Sequence, residues 1–252
     1  MSAEKAKALV LKSIPYQESS CILYLFSENH GLIHGIAKGI RRNTKERVCV
    51  ERGLLIEAVV YIKPHRDLHT LGSIHVLEFY PSVRCDIIKS ALRDAAFETI
   101  LAAITASDFH PELFTFFVKF MQHVDLASEA ECYPCSLWLF YHRFCFHLGF
   151  GMDMEHCISC GSSLTGDAFM AASKGGLECG ECGRHKHESQ RIPAEVRLYL
   201  HHGSPKPQEI REIVLPAVSK NITRLLSDYC RYHFDIRKEF KTLAFLDTMA
   251  EW

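Results

Sequence analysis

The sequence predicts an α+β protein in which a small β-domain precedes a larger helical domain. Three observations lead to this prediction. Residues 6–80 carry short apolar runs that alternate with a period of two, as strands do. Residues 81–148 and 193–234 instead repeat apolar side chains every three or four positions, as amphipathic helices do. Two close cysteine pairs stand in a glycine-rich segment that interrupts the helical pattern.

Composition indicates a globular protein. The chain has 252 residues, 48% of them hydrophobic, which suits one large domain or two smaller ones with a substantial core. Its formal net charge is −1, so any affinity for nucleic acid has to come from a local patch of cations. No stretch approaches the roughly 18 uncharged apolar residues that a membrane span needs. We therefore expect a cytoplasmic protein with no membrane partner.

The β-domain is predicted to be a closed barrel of about five short strands. Alternating or continuous apolar runs lie at 22–26, 54–62 and 71–79, and Pro15 and Gly31 mark turns between strands. Closure suits so small a β-domain, because a closed barrel leaves no exposed strand edges. We predict an OB-fold over residues 1–80.

The rest of the chain, residues 81–252, is predicted to be a helical domain. Its apolar residues form stripes at helical spacing, and Gly149 and Gly151 follow one such stripe, as glycines just past a helix often do. The cysteine pairs lie in an insert at about 152–191. The predicted helices cover approximately residues 88–104, 111–127, 134–148, 193–201 and 210–234.

The cysteine pairs predict a structural zinc site. Cys157 and Cys160 are separated by two residues, as are Cys179 and Cys182, and each pair is followed by a glycine. Two residues between thiolates let one tight turn point both sulfurs at one ion, and a glycine lets the backbone close that turn. Two such turns supply a tetrahedral shell of four thiolates, which zinc favours and which leaves no open position for substrate. We expect one zinc ion per chain.

Other readings of the cysteines remain open. The four could be free thiols, or they could bind iron, and His185 and His187 are close enough in sequence to compete as ligands. We assign both histidines to the surface. Cys132 and Cys135 form a further C-x-x-C pair, but no βαβ pattern precedes it, so we interpret it as structural and not redox-active. The isolated cysteines are expected to be small core residues.

A basic loop is predicted between two strands of the barrel. The segment 38–47 has no apolar periodicity, and its cations are opposed only by Glu46. Such a loop can contact phosphates through charge alone, although a solvated loop that binds nothing fits the same pattern. Nearby aromatic residues Tyr16, Tyr24, Phe26 and Tyr61 are assigned to the core. The predicted nucleic-acid-binding residues are Lys38, Arg41, Arg42, Lys45 and Arg47.

Catalytic motifs are missing from the sequence: it contains no P-loop, no G-x-S-x-G and no H-E-x-x-H. We therefore predict that the protein is not an enzyme and name no catalytic residue. Two alternatives to a nucleic-acid-binding protein stay open. One is a zinc-containing scaffold that binds proteins, and the other is a zinc-dependent nuclease or hydrolase, which would need an open metal position.

The order of these features resembles the RecO family of bacterial recombination mediators. The opening segment AKALVLKSIPYQESSCILYLFSENHGLIHGIAKGIRR is similar to the family's N-terminus. HLGFGMDMEHCISCG resembles the family's segment around the first cysteine pair, and YCRYHFDIRKEFKTLAFL resembles its C-terminal segment. The matching N-terminal residues are Tyr16, Glu18, Ser19, His30, Gly31, Lys38, Gly39, Arg41 and Arg42.

This resemblance implies an N-terminal OB-fold followed by a helical domain with a zinc-binding insert. It also implies a non-enzymatic protein that binds single- and double-stranded DNA and anneals complementary strands. The implied partners are RecR, the single-strand-binding protein SSB and, indirectly, RecA, which the protein would help to load onto SSB-coated DNA.

Overall fold

The computed structural model describes residues 2–41, 50–62, 66–105, 110–128, 134–187, 190–202 and 216–249. The chain divides into two compact units. Unit 1 comprises residues 1–93 and 97–126, and unit 2 comprises residues 94–96 and 127–252. Strands dominate the first part of the chain and helices the rest, so the predicted α+β class is confirmed.

Unit 1 is built on a closed barrel with the strand order β1–β2–β3–β5–β4. Neighbouring strands are antiparallel except β3 and β5, which pair in parallel and close the barrel. The OB-like barrel predicted from the sequence is confirmed. The strands are β1 (Ser2–Tyr16), β2 (Ser20–Ser27), β3 (Gly31–Ala37), β4 (Leu55–Ile62) and β5 (Leu68–Glu78).

The barrel interior is filled by small and branched apolar side chains, among them Ala8, Leu23 and Ile56. Strand β1 is long enough to pair with β2 along one half and with β4 along the other. A shift in register between Val10 and Lys12 marks a bulge. The bulge bends β1, so that the strand can pair with both β2 and β4. One continuous strand therefore joins β2 and β4 in the barrel.

Three helices follow the barrel and belong mainly to unit 1: α1 (Pro81–Cys85), α2 (Ile87–Ala103) and α3 (Pro111–Leu126). Helix α3 packs on the outside of the barrel, where the ring of Phe26 lies 6.0 Å from that of Phe114 and 5.7 Å from that of Phe117. Residue 81 thus marks the change from strands to helices. The division into domains 1–80 and 81–252 stays a prediction.

Unit 2 combines helices with a small sheet. The buried indole Nε1 of Trp138 on α4 donates a hydrogen bond to Thr223 Oγ1 on α7, 2.8 Å away. None of the described helices is both long and apolar enough to cross a lipid bilayer. The helices are α4 (Cys135–His147), α5 (Gly180–His187), α6 (Ala194–His202), α7 (Pro216–His233) and α8 (Lys241–Leu246). The sheet has the order β7–β6–β8, with β6 (Ala168–Ala171), β7 (Gly176–Glu178) and β8 (Arg191–Ile192).

Candidate metal centre and nucleic-acid interface

The four cysteines predicted as metal ligands lie together in unit 2. The Sγ atoms of Cys157, Cys160, Cys179 and Cys182 are all within 4.8 Å of one another, and those of Cys160 and Cys179 are 3.8 Å apart. Four sulfurs in a tetrahedron, each bonded to zinc at about 2.3 Å, would be about 3.8 Å apart. The group could therefore hold a metal ion, and its spacing fits zinc.

Two turns bring these thiols together. In the first, the Gly161 amide donates to the carbonyl of Cys157 at 2.8 Å, and Gly161 has a φ of 73°, which favours glycine. In the second, Cys179 stands directly before α5, and the Gly183 amide donates to its carbonyl at 2.9 Å. A Cβ on Gly183 would lie 2.7 Å from Phe169 Cβ. The predicted conformational role is thus correct for Gly161, whereas Gly183 is needed for close packing.

Hydrogen bonds from backbone amides lower the pKa of two of the four thiols. Burial opposes ionisation of Cys157, but amides of Cys179, Cys160 and Ser159 outweigh it and lower the pKa of the Cys157 thiol to about 6. The Cys179 N–H lies 3.2 Å from Cys157 Sγ. Amides in the first turn of α5, first that of Cys182, lower the pKa of Cys179.

The thiol of Cys182 is harder to ionise than those of Cys157 and Cys179. Hydrogen bonds with the thiols of Cys160 and Cys179 raise the pKa of Cys182 to about 12. Each thiolate that forms makes the next one harder to form, because like charges at this separation repel. A cation bound among the sulfurs would favour ionisation of the remaining thiols, so metal binding would be coupled to loss of the thiol protons.

An ion pair between an exposed lysine and a buried carboxylate supports the cysteine turns. The Glu178 side chain is fully buried, and its Oε1 accepts hydrogen bonds from Lys174 Nζ at 2.6 Å and from Ser159 Oγ at 2.5 Å. The hydrogen bond from Lys174 is the largest cause of the lowered pKa of Glu178. The Ile158 amide also donates to the Leu177 carbonyl at 2.8 Å. These contacts fix the first cysteine turn to the β6–β7 hairpin, and sequence analysis missed the pair Lys174 and Glu178.

A buried arginine holds the segment before β6. Arg197 on α6 is 4% exposed, and its guanidinium donates to the carbonyls of Met154 and Leu164. These two residues flank the first cysteine turn. The segments before and after this turn are therefore both hydrogen-bonded to the same side chain of α6. Nothing in the sequence pattern marked Arg197, since a single arginine in a helix is usually exposed.

Among the described residues, the group that could hold a metal ion consists of these four cysteines. Cys135 is buried at the start of α4, and burial raises the pKa of its thiol to about 12, so this thiol stays protonated. His185 is exposed, as predicted. Cys132, Cys49 and the side chain of His187 lie outside the described residues. Of the isolated cysteines, Cys21, Cys145 and Cys230 are buried as predicted, whereas Cys85 is exposed.

The predicted basic loop begins on the surface of the barrel. Lys38 directly follows β3, and both Lys38 and Arg41 are exposed. The Arg41 amide donates to the carbonyl of Ser19 at 2.9 Å, which fixes the start of the loop beside the turn between β1 and β2. The other three predicted DNA-binding residues, Arg42, Lys45 and Arg47, lie outside the described residues.

The aromatic residues near the loop differ from the prediction. Phe26 is buried, as expected, but Tyr16 and Tyr61 are 41% and 38% exposed, so assigning them to the core was wrong. Tyr24 is half-buried on the outer surface, with its ring centroid 4.2 Å from that of His34 and 5.5 Å from Lys12 Nζ. Lys12, Tyr24 and His34 therefore lie together on the outside of the barrel.

Known proteins match the chain over nearly its whole length. Residues 1–80 match the family model described as recombination protein O N terminal, and residues 84–242 match that of recombination protein O C terminal. A DNA repair protein RecO of Prosthecochloris aestuarii is 27% identical over 245 residues, 92% of each chain. One of Caldanaerobacter subterraneus subsp. tengcongensis is 24% identical over 251 residues, 98% of each chain. One of Geobacter metallireducens is 26% identical over 187 residues, covering 73% of this chain and 75% of the relative.

Each of the two family models falls on one part of the architecture. The N-terminal model covers the closed barrel, and the C-terminal model covers helices α2 to α7 together with all four clustered cysteines. On this evidence, the chain belongs to the RecO family of DNA repair proteins.

Proposed function

We propose that this protein is a mediator of recombinational DNA repair that binds single- and double-stranded DNA and anneals complementary strands. The observation that carries the proposal is the pair of exposed cations, Lys38 and Arg41, fixed on the barrel beside the β1–β2 turn. Barrels of this type commonly bind single strands along basic grooves. The names of the relatives, all DNA repair proteins, support the same assignment.

Charge neutralisation accounts for both binding and annealing. A lysine or arginine that contacts a phosphate releases a condensed counterion, which favours binding to any sequence. Two complementary strands repel each other through their phosphates, so a protein that neutralises some of them lowers the barrier to pairing. Arg42, Lys45 and Arg47 belong to the same stretch of sequence and would add to this effect.

The metal centre would have a structural role. We assign zinc to it, because four thiolates at this spacing fit a tetrahedral zinc shell. Such a shell has no open position for water or substrate, so the proposed protein is not an enzyme. The cysteines would instead hold the turns that join the small sheet to α5.

Family membership extends the proposal to partners. We propose that the protein acts in the bacterial cytoplasm with RecR and helps RecA to replace SSB on single-stranded DNA. A scaffold that binds only proteins is the second candidate function, because the exposed cations Lys38 and Arg41 could pair equally with an acidic partner segment. Binding to naked DNA separates the two functions.

An annealing assay with two labelled complementary oligonucleotides tests the proposal. Wild-type protein should accelerate annealing several-fold over the uncatalysed rate, and the double variant Lys38→Ala/Arg41→Ala should lose most of that acceleration. The matched control is Lys7→Ala/Lys119→Ala, which removes two exposed cations elsewhere in unit 1. Wild-type protein that neither binds naked DNA nor accelerates annealing would contradict the proposal and favour the scaffold.

A further inference from the structure

The metal centre of unit 2, with zinc bound, would carry a net negative charge. Four thiolates have more negative charge than the two positive charges of a zinc ion can offset. The buried carboxylate of Glu178 stands directly before the ligand Cys179 and adds a further negative charge. Like charges this close repel one another, and the repulsion favours thiols over thiolates and so opposes metal binding. A cation close to both cysteine pairs would reduce this repulsion.

Lys174 is a cation in this position. Its Nζ donates to Ser159 Oγ at 2.6 Å and to Glu178 Oε1 at 2.6 Å. Ser159 stands inside the first cysteine pair, and Glu178 directly precedes Cys179 of the second pair. The ammonium group therefore contacts one residue at each cysteine pair and lies between the two turns.

The charges of the cysteines also act on Lys174. The hydrogen bond with Glu178 is the largest cause of the raised pKa of Lys174, and the charges of Cys182 and Cys157 raise it further, although desolvation opposes the shift. Lys174 is therefore a cation at pH 7, and its field favours the ionised form of thiols in both pairs. Its side chain is 46% exposed, so salt in the solvent can screen this field.

The backbone places Lys174 against the first cysteine turn. A 3₁₀ turn, Ala172–Lys174, ends at Gly175, whose φ of 76° favours glycine. The next residue, Gly176, has little room for a side chain, because a Cβ there would lie 3.0 Å from Ile158 Cδ1. Ile158 also stands inside the first cysteine pair. The hairpin that carries Lys174 therefore packs directly on that turn.

Two other cations near the turns have different partners. Arg191 pairs with Asp167, and Arg197 donates to two backbone carbonyls. Neither of these contacts involves a residue inside a cysteine pair or next to one. Lys174 differs from both arginines because its contacts reach the two pairs at once.

We propose that Lys174 is the counter-cation of the metal centre and sets how firmly the four cysteines hold their zinc ion. This inference rests on the zinc assigned under the proposed function and adds to it a residue outside the ligand set. The hydrogen bonds to Ser159 and Glu178 position the ammonium group, and its charge stabilises the thiolates. A clamp without this electrostatic role would act through the hydrogen bonds alone, so the test has to separate charge from hydrogen bonding.

The first test measures zinc retention by full-length protein purified with its metal. The chromophoric chelator pyridylazoresorcinol is titrated into wild type and Lys174→Met, and its absorbance reports the zinc that it removes. Lys174→Met removes the charge and keeps an unbranched side chain. It should hold zinc about ten-fold more weakly than wild type, an effect typical of residues that support metal ligands. Equal retention by the two proteins would overturn the proposal.

Two control variants accompany this test. Lys174→Arg keeps the positive charge and should retain zinc almost as firmly as wild type. Lys238→Met makes the same change at an exposed lysine that follows α7, and it should match wild type. A loss of zinc from Lys174→Arg as large as that from Lys174→Met would contradict a role for the charge.

Glu178→Gln and salt separate charge from hydrogen bonding. Glutamine keeps an oxygen that can accept from Lys174 and Ser159, but it removes a negative charge beside the thiolates. A counter-cation predicts that this variant holds zinc at least as firmly as wild type, whereas a clamp that needs the ion pair predicts weaker retention. The deficit of Lys174→Met relative to wild type should also shrink as salt is raised. Weaker retention in Glu178→Gln, or a deficit that salt does not change, would overturn the proposal.

The outcomes separate this inference from the proposed function. Should wild-type protein contain no zinc, the metal assignment and the role of Lys174 are both wrong. Should wild type contain one zinc per chain and Lys174→Met retain it equally firmly, the metal assignment stands and only the role of Lys174 is wrong. If Lys174→Met cannot be purified with metal, the comparison of wild type with Glu178→Gln and Lys174→Arg still decides the question.

Discussion

The barrel of unit 1 and the metal-bearing segment of unit 2 are built in opposite ways. The barrel has strands of 7 to 15 residues whose pairing closes on itself around a continuous apolar interior. The metal-bearing segment, residues 152–192, has strands of four, three and two residues and a helix of eight. Sheets this small are at best marginally stable in water by themselves.

The two regions are therefore stabilised by different interactions. In the barrel, backbone ladders and buried side chains provide the stability. In the metal-bearing segment, polar contacts fix the turns: the pair Lys174 and Glu178 on one side and Arg197 on the other. Small domains of this kind commonly depend on metal ligation for folding. Loss of the metal should therefore affect one region and leave the other intact.

Metal removal should have the largest effect. Chelation, or Cys157→Ser, should abolish the protection of residues 152–192 from hydrogen exchange, because structural zinc can contribute on the order of 10 kcal/mol to folding. The barrel should keep its protection. The matched control is Cys85→Ser, which changes an exposed cysteine outside the cluster and should leave zinc content and exchange unchanged. A Cys157→Ser protein that keeps one zinc per chain and normal exchange would show that the cluster is not the metal centre.

The reverse experiment destabilises the barrel alone. Phe26→Ala should lower the free energy of unfolding of unit 1 by about 3–5 kcal/mol, because it leaves a cavity under α3. Zinc content should not change. Phe79→Ala removes a ring that is 54% exposed and should cost much less. Denaturant unfolding with zinc release measured in parallel checks this, and simultaneous loss of zinc would mean that the two regions do not unfold separately.

Sequence periodicity predicted the barrel and the main helices because those elements are long enough to show a period. The strands β6 to β8 have two to four residues, fewer than a period-two pattern needs, so they were missed. The cysteines were found because ligand spacing is a local property. Lys174 and Glu178 could not be recognised, since their pairing depends on the fold of the β6–β7 hairpin.

The sequence pattern did not predict which residues lie on the outer face of the barrel, for a different reason. Before the bulge in β1, Ala6, Ala8 and Val10 point inward. Simple alternation would then place residues 12, 14 and 16 inside as well, but the extra residue at the bulge turns them outward. Tyr16 therefore lies on the surface. Tyr24 and Phe26 share one face of β2, and α3 covers only Phe26, which no local pattern shows.

A smaller effect should depend on pH and be confined to unit 2. His142 on α4 is 5% exposed, and burial lowers its pKa to about 4, below the value of about 6.5 in the unfolded chain. The unfolded state therefore binds a proton first as the pH falls. Stability should be intact above pH ~6.5 and decline between pH ~6.5 and ~4, by on the order of 3 kcal/mol at most.

Denaturant unfolding of wild type and His142→Leu across this pH range measures the effect. The variant should lose less stability on acidification than wild type. Release of metal from protonated thiols also destabilises unit 2 at low pH, but it acts on both proteins, so the difference between them isolates His142. His185→Leu, at an exposed histidine, should behave like wild type. Identical pH dependence in His142→Leu and wild type would contradict the assignment.

The most direct test of the account is a salt titration of single-strand binding and a zinc assay on the same preparations. If phosphates bind to the barrel and the metal binds to unit 2, the two properties should respond to different substitutions. Lys38→Ala/Arg41→Ala should reduce the slope of log affinity against log salt by about 0.7 for each lost contact and keep its zinc. Cys179→Ser should lose zinc and keep the wild-type slope. An unchanged slope in the first variant, or a reduced slope in the second, would contradict the account.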